Sequence, residues 1–249
     1  MSSQSTPALP LLGKTAIVTG ASRGIGAGIA WKLASDGANI TELQEKIQSL
    51  PHKPKTHGVQ ADLGELGAPR QIIDELLGWS SGDLKIDILV NNAATMVIKT
   101  LSEITPEHYD YVYNVNIRGT TFLTQAILPY LQPRGRIINI SSTGARDKIP
   151  GGTLYCSTKT AIEGLTRTWA LELGENGTTV NVVSPGPVPS DMLDRVPESI
   201  KELQRVQTAV EHRYGTVEEV ANIVAWVASP AASWISGQCI NASGGYQTF

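Results

Sequence analysis

Short β-branched runs alternate with helical stretches along the whole chain, and this alternation constrains the fold more than any other feature. Lys14 to Thr19 is an apolar run that stops at Gly20 and reads as a buried strand. Gly24 to Gly37 follows as a predicted helix, with Ile25, Ile29, Ala30 and Leu33 on one face and Gly37 as its stop. Further strands are expected at residues 38–40, 55–60, 86–91, 136–141, 179–183 and 238–241. Helices are expected over 66–78, 105–131 and 153–176, and a last one opens at the capping box Thr216-Val217-Glu218-Glu219. Alternation of this kind predicts a parallel sheet covered by helices on both faces. Right-handed crossovers then put ligands beyond the carboxyl ends of the strands, where strand order reverses. Gly20, Asp62, Asn91, Ser142 and Pro185-Gly186 each follow a strand and are the first candidates.

One junction breaks the rhythm. Ala38-Asn39-Ile40 starts a strand, yet Thr41 to Ile47 already reads as amphipathic helix. A βα connection usually takes ~2–6 residues. The expectation is therefore that the sequence skips a segment of roughly ten residues between Ile40 and Thr41; the alternative is a real deletion that shortens the strand.

The chain has no repeat, no low-complexity tract and no domain-scale linker, so its 249 residues read as one domain over 13–249 behind an N-terminal extension over 1–12. A hydrophobic content of 41% suits a globular protein with a full core. A net charge of −3 leaves no basic footprint, which argues against nucleic acid as a partner. The two cysteines, Cys156 and Cys239, form neither a disulfide framework nor a metal motif and fit a reducing compartment. Met1 to Leu12 lacks the pattern of a secretory signal, and no apolar run is long enough to span a membrane, so a cytoplasmic location is expected.

Two stretches carry chemistry. Thr19-Gly20-Ala21-Ser22-Arg23-Gly24-Ile25-Gly26 lies between a strand and a helix. Glycines there let the backbone turn tightly and approach a diphosphate, with the helix amides facing the anion. Glycine also serves tight turns for steric reasons alone. Second, Tyr155 and Lys159 stand one turn apart on one helix face. A nearby ammonium favours the phenolate, so the lysine is expected to lower the tyrosine's pKa and make a tuned acid or base. By itself such a pair also occurs by chance, with a half-buried tyrosine and a solvated lysine.

The Gly-x-x-x-Gly-x-Gly spacing, Asn91-Asn92-Ala93-Ala94, Ser142, the Tyr155/Lys159 pair and Pro185-Gly186-Pro187-Val188 together resemble the classical short-chain dehydrogenase/reductase family. Arg213-Tyr214-Gly215 and Ser236-Gly237-Gln238 also fit, and the resemblance runs from about Leu12 to Gly245. It implies an α/β, Rossmann-like, doubly wound, seven-stranded parallel sheet and a nicotinamide dinucleotide. By position, Tyr155 resembles the family's proton donor to a carbonyl and Lys159 the residue that lowers its pKa and holds the nicotinamide ribose. Ser142 resembles the residue holding the substrate oxygen, and Asn116 the asparagine that holds a relay water. For Ser142 the plain alternative is a strand-end cap, and for Asn116 a mid-helix polar residue bonding a carbonyl. The cofactor contacts implied are Gly20, Ser22, Arg23, Gly24, Ile25, Gly26, Asp62, Leu63, Asn91, Ala93, Tyr155, Lys159, Pro185, Gly186, Val188 and Ser190. Ala94 departs from the family's usual glycine, and Ser190 from its usual threonine.

A 2′-phosphate needs a cation, whereas a free 2′-hydroxyl is usually held by a carboxylate at the end of the second strand. Arg23 is a suitable cation and Ala38-Asn39-Ile40 has no acid, so NADP(H) is expected over NAD(H). Thr95 to Lys99, Thr143 to Leu154 and a lid over 187–211 should line the substrate pocket by family position. Met192, Leu193, Val196, Ile200 and Leu203 would form the lid's apolar face, unless they simply pack on the domain body. The expected function is NADPH-dependent reduction of a small-molecule ketone or aldehyde. The alternatives are an NAD-linked alcohol dehydrogenase and a non-catalytic dinucleotide-binding sensor or scaffold. The resemblance also implies a homotetramer, or a homodimer, through the two long central helices.

Overall fold

A computed structural model describes residues 9–41, 47 and 49–248. Six strands, β1 (Thr15–Val18), β2 (Asn39–Thr41), β3 (Ile86–Asn91), β4 (Leu131–Ile140), β5 (Thr179–Pro185) and β6 (Cys239–Ala242), form one sheet in the order β2-β1-β3-β4-β5-β6. Every pairing is parallel. Strand order reverses at β1, which lies between β2 and β3.

Alternate strand residues feed two cores. On one face Val18, Ile88, Val90, Ile138 and Val183 pack under α1 (Gly24–Ser35) and the late helix Val217–Ala228, through Ile29, Leu33, Val220 and Val224. On the other, Ile17, Leu89, Ile137 and Val180 meet α2 (Ala68–Trp79) through Ile72 and Leu76. The helix expected over 105–131 also covers that face, through Leu123 and Ile127. It is divided into α3 (Pro106–Tyr113), a π-helical stretch (Asn114–Gly119), α4 (Thr120–Ile127) and a 3₁₀ turn (Leu128–Tyr130). Then come α5 (Thr153–Glu172), the short α6 (Asp191–Asp194), α7 (Glu198–Gln207) and α8 (Val217–Ala228). The expected capping box is present on α8: Thr216 Oγ1 accepts from Glu219 N at 3.1 Å, and Glu219 Oε2 from Thr216 N at 2.8 Å.

Two expectations are corrected at the β2 edge. The seventh strand, expected over 55–60, is reduced to one bridge between Thr56 and Ile40. Among the described residues, only Ile40 of β2 bonds this segment through the backbone, donating to Lys55 O at 3.0 Å and accepting from His57 N at 3.1 Å. The junction at Ile40–Thr41 is also uninterrupted strand rather than a gap: Ile40 and Thr41 pair in consecutive register with Ala16 and Ile17. The helix expected from Thr41 to Ile47 lies largely outside the described residues. Leu11, assigned to the N-terminal extension, is 1% exposed, and its amide donates to Asp36 O at 2.8 Å.

Candidate active site

The turn after β1 is shaped by what it excludes. Gly20 and Gly24 hold φ of 65° and 54°, in the left-handed region that disfavours side chains. A Cβ on Gly26 would lie 2.3 Å from Gly20 O and 2.4 Å from Asn92 Nδ2. Gly20 and Gly26 therefore leave no room for a side chain where the turn packs against itself and Asn92 ahead of α1. This fits a diphosphate, for which free amides and close backbone approach are the requirements.

That turn floors a cleft of about 1230 Å³ along the carboxyl ends of β1, β3, β4 and β5. This exceeds the ~300–1,000 Å³ usual for one small ligand. The cleft brings together Gly20, Ser22, Arg23, Gly24, Ile25, Gly26, Asp62, Leu63, Ala93, Ser142, Tyr155, Lys159, Pro185, Gly186, Val188 and Ser190. Two of the expected residues stand behind its wall. Asn91 Nδ2 donates to Thr124 Oγ1 at 3.0 Å and to Asn139 Oδ1 at 2.8 Å, in a buried network between strands and helices. Asn116, 2% exposed, accepts from Thr95 N at 2.8 Å and donates to Thr95 O at 2.9 Å and Thr158 Oγ1 at 3.1 Å. It sits in the π-helical stretch and fixes the backbone of Thr95, which does line the cleft.

Ser142 follows β4, and its Oγ accepts from Gly144 N at 3.0 Å, which leaves its own proton to donate. Tyr155 and Lys159 project from the first turns of α5 and are 9% and 4% exposed. Lys159 Nζ donates to Ile140 O at 2.8 Å and lies 5.5 Å from the Tyr155 ring centroid. Burial pushes the Tyr155 phenol up to about 12, opposed only in part by a hydrogen bond with Ser142. Burial pushes the Lys159 ammonium down to about 8. The expected lowering of the phenol by the lysine is thus corrected. One N–H of the ammonium goes to a strand carbonyl, desolvation is the largest influence on both groups, and Tyr155 is held as a neutral phenol near pH 7.

Other candidates are held by their own turns. Asp62 Oδ1 accepts from Gly64 N at 2.8 Å. Ser190 Oγ caps α6 at Leu193 N, 3.3 Å away, and donates to Val188 O at 3.2 Å. Arg23 faces Asp191 of α6 at 3.2 Å, both side chains largely exposed. Asn92 falls inside the expected cofactor run Asn91 to Ala93. Its Nδ2 donates to Thr19 O at 2.9 Å beneath the glycine turn, and it lines the cleft. Its place in Asn91-Asn92-Ala93-Ala94 was the available signal. Asp191 had none, being 168 positions from its partner in sequence.

Fold and cleft together define a dinucleotide-fold protein with a Ser/Tyr/Lys cluster at the carboxyl end of β4. Residues 20–247 match the family model described as enoyl-(acyl carrier protein) reductase. The short-chain dehydrogenase/reductase FrzI of Cladobotryum is 37% identical, over 97% of this chain and 99% of that relative. Hydroxynaphthalene reductase arp2 of Aspergillus fumigatus is 35% identical, over 92% of this chain and 91% of the relative. The crystal structure of angucycline C-6 ketoreductase LanV with bound NADP superposes with a TM-score of 0.87 at 33% identity, covering 95% of this chain and 96% of LanV. The chain belongs to the classical short-chain dehydrogenase/reductase family and is an NAD(P)-dependent oxidoreductase. The FrzI alignment spans 260 positions against 249 residues here, so the relative has residues this chain lacks.

Proposed function

We propose that the protein is an NADPH-dependent reductase of ketones, with Ser142, Tyr155 and Lys159 as its catalytic residues. The observation that carries this reading is a buried, neutral Tyr155 phenol beside the Ser142 hydroxyl, both facing the cleft. When bound, the reduced nicotinamide supplies the hydride. Tyr155 Oη delivers a proton to the carbonyl oxygen, and Ser142 Oγ donates a hydrogen bond where negative charge grows on that oxygen. Lys159, charged below about pH 8, offsets the phenolate left behind. Asn116 acts through Thr95 as a positioning residue.

Three features support NADPH over NADH. Arg23 stands at the glycine turn as a cation for a 2′-phosphate. Asn39-Ile40-Thr41 carries no acid to hold a free 2′-hydroxyl. LanV, the similar ketoreductase, binds NADP. The substrate end is mainly apolar, with Met96, Ile98, Ile149, Leu193, Val196 and Ile200, and this favours a bulky, uncharged ketone. Residues 187–211, with α6 and α7, serve as the lid that keeps water from the reacting carbonyl.

The test is a fluorescence titration of NADPH against NADH, followed by turnover of a ketone panel in wild type and Tyr155→Phe. The expected outcome is tighter NADPH binding and a fall of about 10²–10⁴-fold in kcat with NADPH affinity kept. Undiminished turnover in Tyr155→Phe would overturn the assignment.

A further inference from the structure

The last described residues fold back over the substrate end of the molecule. Gly244 and Gly245 take left-handed φ of 59° and 77° and turn the chain after β6. Gly244 O then accepts from Val210 N at 2.9 Å, just beyond α7. Ser243 Oγ and Gln247 close the turn through reciprocal contacts, Ser243 Oγ to Gln247 O and Gln247 N to Ser243 Oγ, each 3.3 Å. Asn241 Nδ2 also donates to Gln247 O at 2.5 Å.

The turn lies between two walls of the chamber. The Tyr246 hydroxyl donates to Asp147 Oδ2 on one side, and the Val210 N–Gly244 O bond holds the turn to the end of α7 on the other. Gln204 belongs to α7, is 8% exposed and lines the cleft. Asp147 belongs to the loop between Ser142 and α5, and its other oxygen accepts from Lys148 N at 2.7 Å. Ile149 and Pro150, just beyond, line the cleft as well. The residue before it, Arg146, fastens the same loop to α5 through Glu163 at 2.9 Å. Tyr246 itself is not among the lining residues. One phenol thus joins the turn held at the end of α7 to the loop opposite, from outside the chamber.

Building on the ketone-reductase reading, we infer that Tyr246 is a positioning residue for the carbonyl substrate: its hydroxyl ties Asp147 to the turn that Val210 anchors beyond α7 and fixes the separation of the two substrate walls. Cofactor binding does not depend on it, because the glycine turn, Asp62 and Arg23 belong to other segments.

Tyr246→Phe keeps the ring and removes only the hydroxyl. With α-tetralone, a bicyclic aryl ketone, KM should rise about five- to tenfold while kcat and NADPH affinity stay within twofold. Asp147→Asn should give a similar rise, and the double variant no more than the larger single effect, because both remove one contact. Hydrogen exchange read without substrate should show faster exchange at Lys148 and Val210 amides in Tyr246→Phe, with α5 unchanged. An unaltered KM with unaltered exchange overturns the inference, as do additive effects in the double variant. An equal loss of ketone and NADPH affinity also overturns it, by marking a general structural role. Should Tyr246→Phe not fold, Asp147→Asn alone decides by the same KM-against-kcat split. Should wild type turn over no ketone, the reductase reading fails, and the exchange result still judges the tie between the walls.

Discussion

The two halves of the cleft are built from different material. The half under the glycine turn is made by backbone: Gly20, Gly24 and Gly26 shape it by lacking side chains, and Asn92 bonds the main chain beneath them. The half under α6 and α7 is made by side chains on and between these two helices, Leu193, Val196, Ile200 and Gln204, with the loop around Ile149 opposite. A backbone site tolerates almost no substitution, whereas a side-chain wall can change shape while the fold stands. The first half is therefore suited to a constant ligand and the second to a variable one.

Gly26→Ala should break this comparison most severely. Its methyl would stand 2.3 Å from a carbonyl oxygen that cannot move without unmaking the turn. A stability loss of about 3 kcal/mol, with NADPH binding lost in whatever remains folded, is the expected outcome in a thermal melt and a fluorescence titration. Normal NADPH affinity in this variant would mean that the turn is softer than its geometry indicates.

The pH profile tests the residues where the halves meet. Lys159 sits at about 8, so its charge is complete below that pH and lost above it. Tyr155, at about 12, keeps its proton across the same range. Reductive kcat/KM should be level below pH 8 and fall about tenfold per unit above it. A profile level to pH 10 would take the lysine's charge out of the mechanism.

The mildest change belongs to the lid. Ile200→Ala should raise KM for a bulky ketone about three- to tenfold through lost apolar contact, with NADPH affinity and melting temperature nearly unchanged. A matching loss of cofactor affinity would show that the halves are not separable.

The backbone half was legible in the sequence because steric necessity leaves one residue type at such positions. Glycines at fixed spacing between a strand and a helix admit few readings. Tyr155 and Lys159 were legible by helical spacing, yet their electrostatics were not. Nothing in the spacing indicates that Lys159 Nζ is taken by Ile140 O, nor that burial outweighs charge. Asn91 and Asn116 show the same limit: the residue types suit a polar site, but only the packing directs one to Asn139 and the other to Thr95. Asp191 and Tyr246 reach partners far away in sequence, Arg23 and Asp147, and no local pattern carries such a pairing. The strand over 55–60 was misread because its own composition suited a strand, while its pairing with its neighbour β2 is confined to one bridge at Ile40.

That short neighbour bears on how the molecule meets others of its kind. A sheet margin with free amides and carbonyls invites a second chain to add on. Here the outward groups of Ile40 are already taken: its N–H donates to Lys55 O at 3.0 Å, and its carbonyl accepts from His57 N at 3.1 Å. Asn39 Oδ1 covers the approach by accepting from Lys55 N at 2.9 Å. Over Asn39 and Ile40 these bonds leave a second chain little backbone to pair with.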